Sequence, residues 1–301
     1  MTISGPMAAL LTPRDASGAF DADALRRNVA FVMERGSTGV CVNGATGEYT
    51  RATVEERRCA VEVANEALAG SGVLVAGCGG ATWNECYTLA AHALDCGAQA
   101  VLVPTPHFFP YEDHDLEAFY TELARRLDGP ILLYNLPQFT SGLPTAVAVR
   151  LIHDVASIVG IKDSSGSLTT LRELSANGFA DSCRIVGHDA VLPEAFDEHC
   201  LDGIISGVAG VVPELNVALY EVFAAADMER RRTVLALQDE LLEQLAPLPV
   251  PWALKIIAAR RGLGAVSFPI PLSEKRKAQV RGFAAWFDAW TERASAIFAL
   301  N

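Results

Sequence analysis

The sequence predicts an α/β fold, a (β/α)8 TIM barrel with a C-terminal helical extension, from three observations. Eight short apolar segments recur along residues 1–225. Segments with helical periodicity separate them. The starts of consecutive apolar segments lie about 20 to 35 residues apart, which is the length of a strand, a helix and two loops. Eight such units fit a closed barrel of about 250 residues, with a doubly wound open sheet as the alternative.

The predicted strands are nearly continuous apolar runs, as expected for a parallel sheet that helices cover on its faces. They occupy residues 7–13, 38–44, 72–78, 98–104, 130–135, 157–163, 183–189 and 202–207. In the first helix Leu25, Val29 and Val32 recur at helical spacing and are expected to face the sheet. Thr53 and Glu56 predict a capping box at the start of the next helix.

The barrel is expected to occupy residues 1–225, and residues 226–301 are expected to form a helical domain. No low-complexity linker separates the two regions, so the tail should pack on the barrel. Breaks at PLPVP and SFPIPLSEK divide the tail into three helices, predicted at residues 227–246, 251–262 and 272–299.

Composition and charge argue against several classes of protein. The chain has 301 residues, of which 50% are hydrophobic, enough for a large core. Its formal net charge of -12 disfavours nucleic acid as a partner, because nucleic acid binds basic surfaces. No signal peptide and no bilayer-spanning segment is apparent. Seven cysteines without a CxxC pair are typical of reduced thiols. We therefore expect a cytoplasmic protein without nucleic-acid or membrane partners.

One pair of residues has the spacing of metal ligands. His92 and Cys96 stand four apart on a predicted helix, so both side chains can reach one ion. Such a pair without further ligands more commonly serves ordinary packing. We expect no metal site.

The strand ends predict where an active site would lie, because catalytic groups of a TIM barrel stand at the C-terminal ends of the strands. The sixth strand ends in Lys162, the first of only four lysines in the chain. Burial disfavours the charged ammonium, and a neutral amine attacks a ketone carbon to form a Schiff base. The alternative is a lysine that reaches solvent or pairs with a carboxylate.

The other strand ends carry polar residues with two interpretations each. In GATGE, residues 44–48, backbone N–H groups and the Thr46 hydroxyl can hold a carboxylate, although a plain turn needs only the glycines. Tyr134 either moves protons or packs. Ser164 either contacts substrate or caps a helix, and Asp189 is a good N-cap for the following helix.

Taken in order, these segments resemble the dihydrodipicolinate synthase / N-acetylneuraminate lyase family of class I Schiff-base pyruvate aldolases. The resemblance covers essentially the whole chain and implies a (β/α)8 barrel with a helical C-terminal domain, commonly assembled as a homotetramer. The matching motifs are GATGE (44–48), YNLP (134–137), GIKDSSG (160–166), VGHD (186–189), IIS (204–206), PVPWALK (249–255) and PLSE (271–274).

The resemblance implies a role for each matching residue. Lys162 is the Schiff-base lysine, and Tyr134 shuttles a proton to and from the reacting oxygen. Thr46, with the N–H groups of Ala45 and Thr46 in the turn that Gly47 completes, holds the pyruvate carboxylate. Substrate hydroxyls and the pyruvate moiety would contact Asp189, Ser206 and the backbone of Ile205. The family's chemistry needs no metal and no organic cofactor.

Three departures from the family's synthases bear on the substrate. Ala45 replaces the first Thr of GTTGE, and Phe108 stands where a second relay Tyr crosses a subunit interface. Phe139 replaces the Arg that holds the aldehyde's carboxylate. Aspartate semialdehyde should therefore bind poorly, because an unpaired carboxylate is costly to bury. For N-acetylneuraminate lyase, Ala190 stands in place of an acidic residue.

The sequence thus predicts a pyruvate-dependent aldolase or lyase acting through Lys162 on a 2-keto-3-deoxy sugar acid or a related 2-keto acid. Alternatives within the family are a dehydratase, a deaminase, a hydratase-aldolase whose aromatic aldehyde would suit Phe108, Phe109 and Phe139, a 4-hydroxy-tetrahydrodipicolinate synthase, or an N-acetylneuraminate lyase. A catalytically weak 2-keto acid binding protein is the alternative outside enzymes. The expected partners are small 2-keto acids, aldehydes and further copies of the chain, as a tetramer or dimer.

Overall fold

Eight parallel strands form a closed barrel in chain order, and β8 pairs with β1 to complete it. The computed structural model describes residues 3–179, 181–225 and 227–298. The strands are β1 (Gly5–Ala9), β2 (Gly39–Val42), β3 (Val73–Gly77), β4 (Ala100–Pro104), β5 (Ile131–Asn135), β6 (Ile158–Asp163), β7 (Cys183–Val186) and β8 (Gly203–Ser206). The predicted (β/α)8 barrel is confirmed, and the open-sheet alternative is wrong.

Helices follow the strands and cover the outside of the barrel. They are α1 (Ala22–Glu34), α2 (Val54–Leu68), α3 (Trp83–Asp95), α4 (Asp113–Arg126), α5 (Thr145–Asp154), α6 (Thr169–Ala176), α7 (Leu192–Asp197) and α8 (Pro213–Ala224). The capping box predicted from Thr53 and Glu56 begins α2, with each side chain accepting the other residue's backbone N–H. Strand β1 starts earlier than predicted, because its pairing with β8 begins at Gly5.

The barrel contains two apolar layers. Leu25, Val29 and Val32 of α1 are fully buried against the sheet, as their spacing predicts. The inside of the barrel is filled by a second cluster that includes Met7, Cys41, Val75, Leu102, Leu132, Tyr134, Ile185 and Ile205. The polar groups at the strand ends therefore stand on a packed apolar floor.

The C-terminal region forms three helices, α9 (Met228–Leu245), α10 (Trp252–Arg260) and α11 (Glu274–Ala294). Helix α9 packs on α8, and α11 packs on α10. Phe287 and Trp290 of α11 are almost completely buried in the main core. The boundary predicted between residues 225 and 226 includes a residue outside the described part of the chain, so its position stays a prediction.

Helix α10 is tied to the loop that follows β2. Lys255 is 6% exposed, forms an ion pair with Glu48 and donates to the carbonyl of Ser267 at 2.7 Å. Burial lowers the pKa of Lys255, and Glu48 opposes that shift. Glu48 has a left-handed backbone, with φ 50°, directly after the turn at Thr46. The C-terminal helices therefore hold one edge of the barrel mouth.

Among the helices of the described residues, none is long and apolar enough to cross a membrane. All seven cysteines are free thiols.

Replacing Lys255 tests this connection. Lys255→Met leaves the half-buried carboxylate of Glu48 with Arg51, 3.6 Å away, as its remaining cation, so we expect the free energy of unfolding to fall by about 2 kcal/mol. Lys277→Met is the matched control, because Lys277 pairs with Glu274 at an exposed position and should contribute less than about 1 kcal/mol. Urea unfolding measures both, and equal effects of the two variants would contradict a structural role for the buried pair.

Candidate active site

Lys162 lies at the C-terminal end of β6 and is 4% exposed. Strand register places it beside Tyr134 of β5. Its Nζ lies 3.4 Å from the Tyr134 hydroxyl and 4.5 Å from the centre of that ring. Within the described ranges, the Tyr134 hydroxyl is the one hydrogen-bond partner of Nζ, and no carboxylate lies within ion-pair distance. The interpretation of Lys162 as a solvent-exposed or ion-paired lysine is therefore wrong.

A glycine lets β7 pass close to this lysine. A Cβ on Gly187 would lie 2.6 Å from Lys162 Cε and 2.1 Å from Ser164 Oγ, so any larger residue would displace both side chains. Ser164 is 6% exposed, and its hydroxyl has no hydrogen-bond partner among the described residues. Helix α6 begins at Thr169, so Ser164 does not cap it. A buried hydroxyl without a partner thus stands next to the lysine, as a ligand-binding group would.

The turn after β2 presents N–H groups that no other part of the described chain uses. Neither Ala45 nor Thr46 donates its backbone N–H within that part of the chain. The carbonyl of Gly47 is held by the hydroxyl of Thr12 at 2.7 Å, which fixes the turn. Gly207 approaches from β8, where a Cβ would lie 2.9 Å from Thr46 Oγ1. Two free N–H groups and one hydroxyl can hold a small anion such as a carboxylate.

Asp189 is not the N-cap that the sequence suggests, because α7 begins at Leu192 and the Asp189 carboxylate has other partners. It accepts from the Ser206 hydroxyl at 2.6 Å and from Asn216 Nδ2 at 3.3 Å. Gln238 donates to its backbone carbonyl at 2.9 Å. Burial raises the pKa of Asp189, and the hydrogen bond from Ser206 opposes the rise.

Ser206 is 1% exposed and reaches the site through Asp189. Its oxygen accepts the N–H of Val208 at 3.0 Å, while its proton goes to the Asp189 carboxylate. In this structure the Ser206 hydroxyl fixes Asp189, and the contact with a substrate hydroxyl that the resemblance implies for Ser206 stays a prediction.

Two cavities flank the turn after β2. The larger has a volume of about 440 Å³ and is lined by Thr46, Gly187, His188, Asp189 and an apolar wall from the C-terminal helices, including Leu242, Leu248, Val250 and Leu254. The smaller has about 260 Å³ and is lined by Ala45, Tyr49, Arg51, His107, Phe139, Val250 and Trp252. Val250 borders both, so the cavities adjoin. A concave site with few polar groups on apolar walls is typical of small-molecule binding.

Most of the predicted site residues gather at this end of the barrel. Tyr134 and Ile205 belong to the apolar floor, on which Ala45 packs. Phe108 is different: it is 88% exposed and is not among the described residues that line either cavity. Phe139, which stands where the family's synthases are expected to have an arginine, lines the smaller cavity.

Several contributing residues escaped the sequence analysis. Asn216 and Gln238 orient Asp189 from helices α8 and α9, and both are almost fully buried. Their signal was a polar residue inside an apolar helical pattern, as in PELNVALY. His107 lines the smaller cavity, and its buried Nδ1 has no partner within the described ranges.

One further nucleophile lies below the site and does not compete with the lysine. Cys41 of β2 is fully buried, and burial raises the pKa of its thiol to about 11. Because the thiolate is the reactive form, Cys41 is inert near neutral pH. The Lys162 amine thus lies 3.4 Å from the Tyr134 phenol, at the same end of the barrel as the unused N–H groups of the turn after β2, and its predicted role as the nucleophile stays a prediction here.

Comparison with known proteins gives a consistent result. The model of the dihydrodipicolinate synthetase family matches residues 2–285. The 4-hydroxy-tetrahydrodipicolinate synthase of Methanopyrus kandleri is 30% identical over 288 residues, which cover 91% of this chain and 92% of that protein.

Solved structures agree. Dihydrodipicolinate synthase from Aquifex aeolicus superposes with a TM-score of 0.88 at 26% identity, covering 96% of this chain and 98% of that chain. The chloride-inhibited synthase from Acinetobacter baumannii, complexed with pyruvate, gives 0.85 at 27% identity, covering 94% and 98%. The resemblance found in the sequence is confirmed: the chain belongs to the dihydrodipicolinate synthetase family and is a class I pyruvate-dependent aldolase or lyase.

Proposed function

We propose that Lys162 forms an imine with the keto carbon of a 2-keto-3-deoxy sugar acid, or a related 2-keto acid, and that the enzyme cleaves or forms the C3–C4 bond of that substrate. The observation that carries this proposal is a buried lysine whose partner is a phenol and not a carboxylate. Among the described residues no carboxylate competes with a substrate carbonyl for this amine.

In the cleavage direction, the amine adds to C2 of the substrate, and Tyr134 gives its proton to the departing hydroxyl, which leaves as water to form the protonated imine. Tyr134, now a phenolate, accepts the proton of the C4 hydroxyl, and the electrons of the C3–C4 bond move into the imine as that bond breaks to release an aldehyde. The Tyr134 phenol then returns a proton to C3 of the enamine, and water hydrolyses the imine to free pyruvate and the Lys162 amine. Thr46 and the free N–H groups of the turn after β2 hold the carboxylate throughout. The imine is the electron sink, so the proposed route uses no metal and no organic cofactor.

Polar groups that face the substrate support a hydroxylated tail. The Ser164 hydroxyl has no partner in the described ranges, and the Asp189 carboxylate lines the larger cavity. A buried polar group without a partner is unfavourable by about 1–3 kcal/mol, so the site favours ligands that supply one. Hydroxyl groups of a sugar acid are such partners.

The smaller cavity argues against aspartate semialdehyde. Ala45 and Phe139 give it no hydroxyl and no cation at the positions where the family's synthases have them. Arg51 does border this cavity, but it lies 3.6 Å from Glu48 and donates to Ser267 Oγ at 3.3 Å. The positive charge of Arg51 is therefore paired with Glu48, the same carboxylate that Lys255 binds to hold the loop after β2.

A dehydratase is the second candidate, and Asp189 is the observation that favours it. This carboxyl group lines the larger cavity, where it can exchange a proton with a hydroxyl of the substrate, and burial raises its pKa. The imine would then expel water without breaking a C–C bond. Product analysis separates the two reactions, because an aldehyde with pyruvate indicates an aldolase and one intact keto acid indicates a dehydratase.

We also propose a homo-oligomer that works in the cytoplasm. Phe108 and Phe109 are 88% and 63% exposed, and large apolar side chains are commonly covered in an assembly. The seven free thiols support a reducing compartment.

Borohydride reduction in the presence of pyruvate tests the imine. We expect a stable adduct on Lys162 in the wild type, located by mass spectrometry of the labelled peptide. Lys162→Ala should give no adduct, while Lys277→Met, which changes an exposed lysine, should give the same adduct as the wild type. An adduct of equal amount in Lys162→Ala would overturn the assignment of the nucleophile.

Substitutions that remove the polar groups test the hydroxylated tail. Ser164→Ala and Asp189→Asn should each lower kcat/KM for a 2-keto-3-deoxy sugar acid by about tenfold to a hundredfold, the size of a lost hydrogen bond to a polar or charged group. Trapping of pyruvate on Lys162 should persist in both variants, because pyruvate has no hydroxylated tail. If both variants keep wild-type kcat/KM for every sugar acid, this substrate class is wrong.

Restoring the missing groups tests why aspartate semialdehyde is disfavoured. The double variant Ala45→Thr, Phe139→Arg should raise the rate of pyruvate condensation with aspartate semialdehyde by about tenfold or more, because a cation then pairs with the substrate's carboxylate. Ala45→Thr combined with Phe109→Arg is the matched control, since Phe109 lies outside the cavity-lining set. A wild type that already condenses this aldehyde as fast as the double variant contradicts the account of these two positions.

A further inference from the structure

Helices α2 and α3 bring three potential metal ligands together on the surface. Glu62 lies on α2, His92 lies on α3, and Cys96 caps the C-terminal end of α3. One carboxylate oxygen, one imidazole nitrogen and the thiol sulfur all lie within 4.8 Å of one another. The sequence shows His92 and Cys96 as a pair without a third ligand, and the packing of α2 on α3 supplies that ligand.

The two separations that involve His92 are close to those of a tetrahedral metal site. His92 Nε2 lies 3.2 Å from Glu62 Oε1 and 3.4 Å from Cys96 Sγ. With bonds of about 2.0–2.1 Å to N and O and about 2.3 Å to S, tetrahedral zinc ligands stand about 3.3–3.6 Å apart. The Cys96 sulfur also lies 3.9 Å from Nδ1, so it rests against the ring. A turn about χ2 of His92, a soft torsion, aims Nε2 at a shared ion.

The helix fixes two of the ligands before any ion binds. His92 and Cys96 are one turn apart, and the Cys96 N–H donates to the His92 carbonyl at 2.9 Å. Residues at this spacing share one helix face, which is how a helix supplies two ligands to one metal. Glu62 is exposed, and His92 and Cys96 are half-buried, so water can fill a fourth position.

The local charge favours a cation at this point. The C-terminal end of a helix carries partial negative charge from its free carbonyl groups, and here it belongs to α3. Glu62 and Asp95 add formal negative charge beside Cys96. A divalent cation neutralises this field and, on binding, takes the place of the thiol proton.

We propose that Glu62, His92 and Cys96 bind one Zn²⁺, with water as the fourth ligand. A thiolate, an imidazole and a carboxylate in tetrahedral arrangement are the ligands that zinc prefers. The site lies at the end of α3 that leads into the start of β4, whereas Lys162 stands at the opposite, C-terminal end of the strands. Zinc here would clamp α2 to α3 without touching the catalytic groups.

Titration of the reduced, untagged protein with Co²⁺ and then Zn²⁺ tests the proposal. We expect one Co²⁺ per chain, with the thiolate-to-cobalt charge-transfer absorption of a cysteine ligand and the intense visible bands of tetrahedral cobalt, both removed by Zn²⁺. Cys96→Ser should lose the charge-transfer absorption, and His92→Ala should weaken Zn²⁺ binding by about tenfold or more. Zn²⁺ should raise the Tm of the wild type and leave that of His92→Ala unchanged.

Two control variants separate this site from ordinary surface binding. His114→Ala removes a histidine that lies 3.6 Å from Glu112 and 3.5 Å from Asp115 but has no thiol beside it. Cys59→Ser removes a half-buried thiol that lies on α2 and is not one of the three proposed ligands. Both should bind Zn²⁺ like the wild type. The proposal is overturned if folded His92→Ala and Cys96→Ser keep wild-type Zn²⁺ affinity, or if the control variants lose as much. None of these readouts depends on the catalytic activity proposed above.

Discussion

The burial of Lys162 without a counter-charge among the described residues is the constraint on which the rest of the site depends. A lysine that is 4% exposed and faces a phenol is tolerated only where the surrounding structure holds it in place. The barrel does this by strand register, which sets Tyr134 beside it, and by Gly187, which leaves room for its side chain. The same burial keeps the amine from solvent and, within the described residues, from carboxylates, as its proposed role in imine formation requires.

Different residues hold the turn after β2, Asp189 and the apolar wall at the mouth of the barrel. The turn after β2, which we propose holds the substrate's carboxylate, is fixed by Thr12 and, through Glu48, by Lys255 of α10. Asp189 is oriented by polar residues of α8 and α9. The apolar wall of the larger cavity also comes from the C-terminal helices. Substitutions in those helices can therefore change which aldehyde half fits, while the lysine, the phenol and the barrel floor keep the pyruvate chemistry unchanged.

Most of the fold was predictable because its signals are local. Apolar runs, caps and glycines repeat with the period of a strand–helix unit, and Lys162 was recognisable as a charge that ends an apolar strand. The features that the sequence did not predict depend on contacts between segments that are distant along the chain. Asp189 is a residue type that commonly caps helices, but its carboxylate accepts hydrogen bonds from Ser206 and Asn216 instead. Glu62 meets His92 only because α2 packs on α3. The exposure of Phe108 in the single chain also has no signature in the sequence.

Exchange of the methyl protons of pyruvate with deuterium, followed by proton NMR, tests the central role of Lys162 most directly. Imine formation followed by reversible loss of a C3 proton replaces those protons with deuterium without any second substrate. The account predicts rapid exchange with the wild type, slow exchange with Tyr134→Phe and only the uncatalysed rate with Lys162→Ala. Exchange at the wild-type rate in folded Lys162→Ala would contradict the account, because the enamine would then form without this lysine.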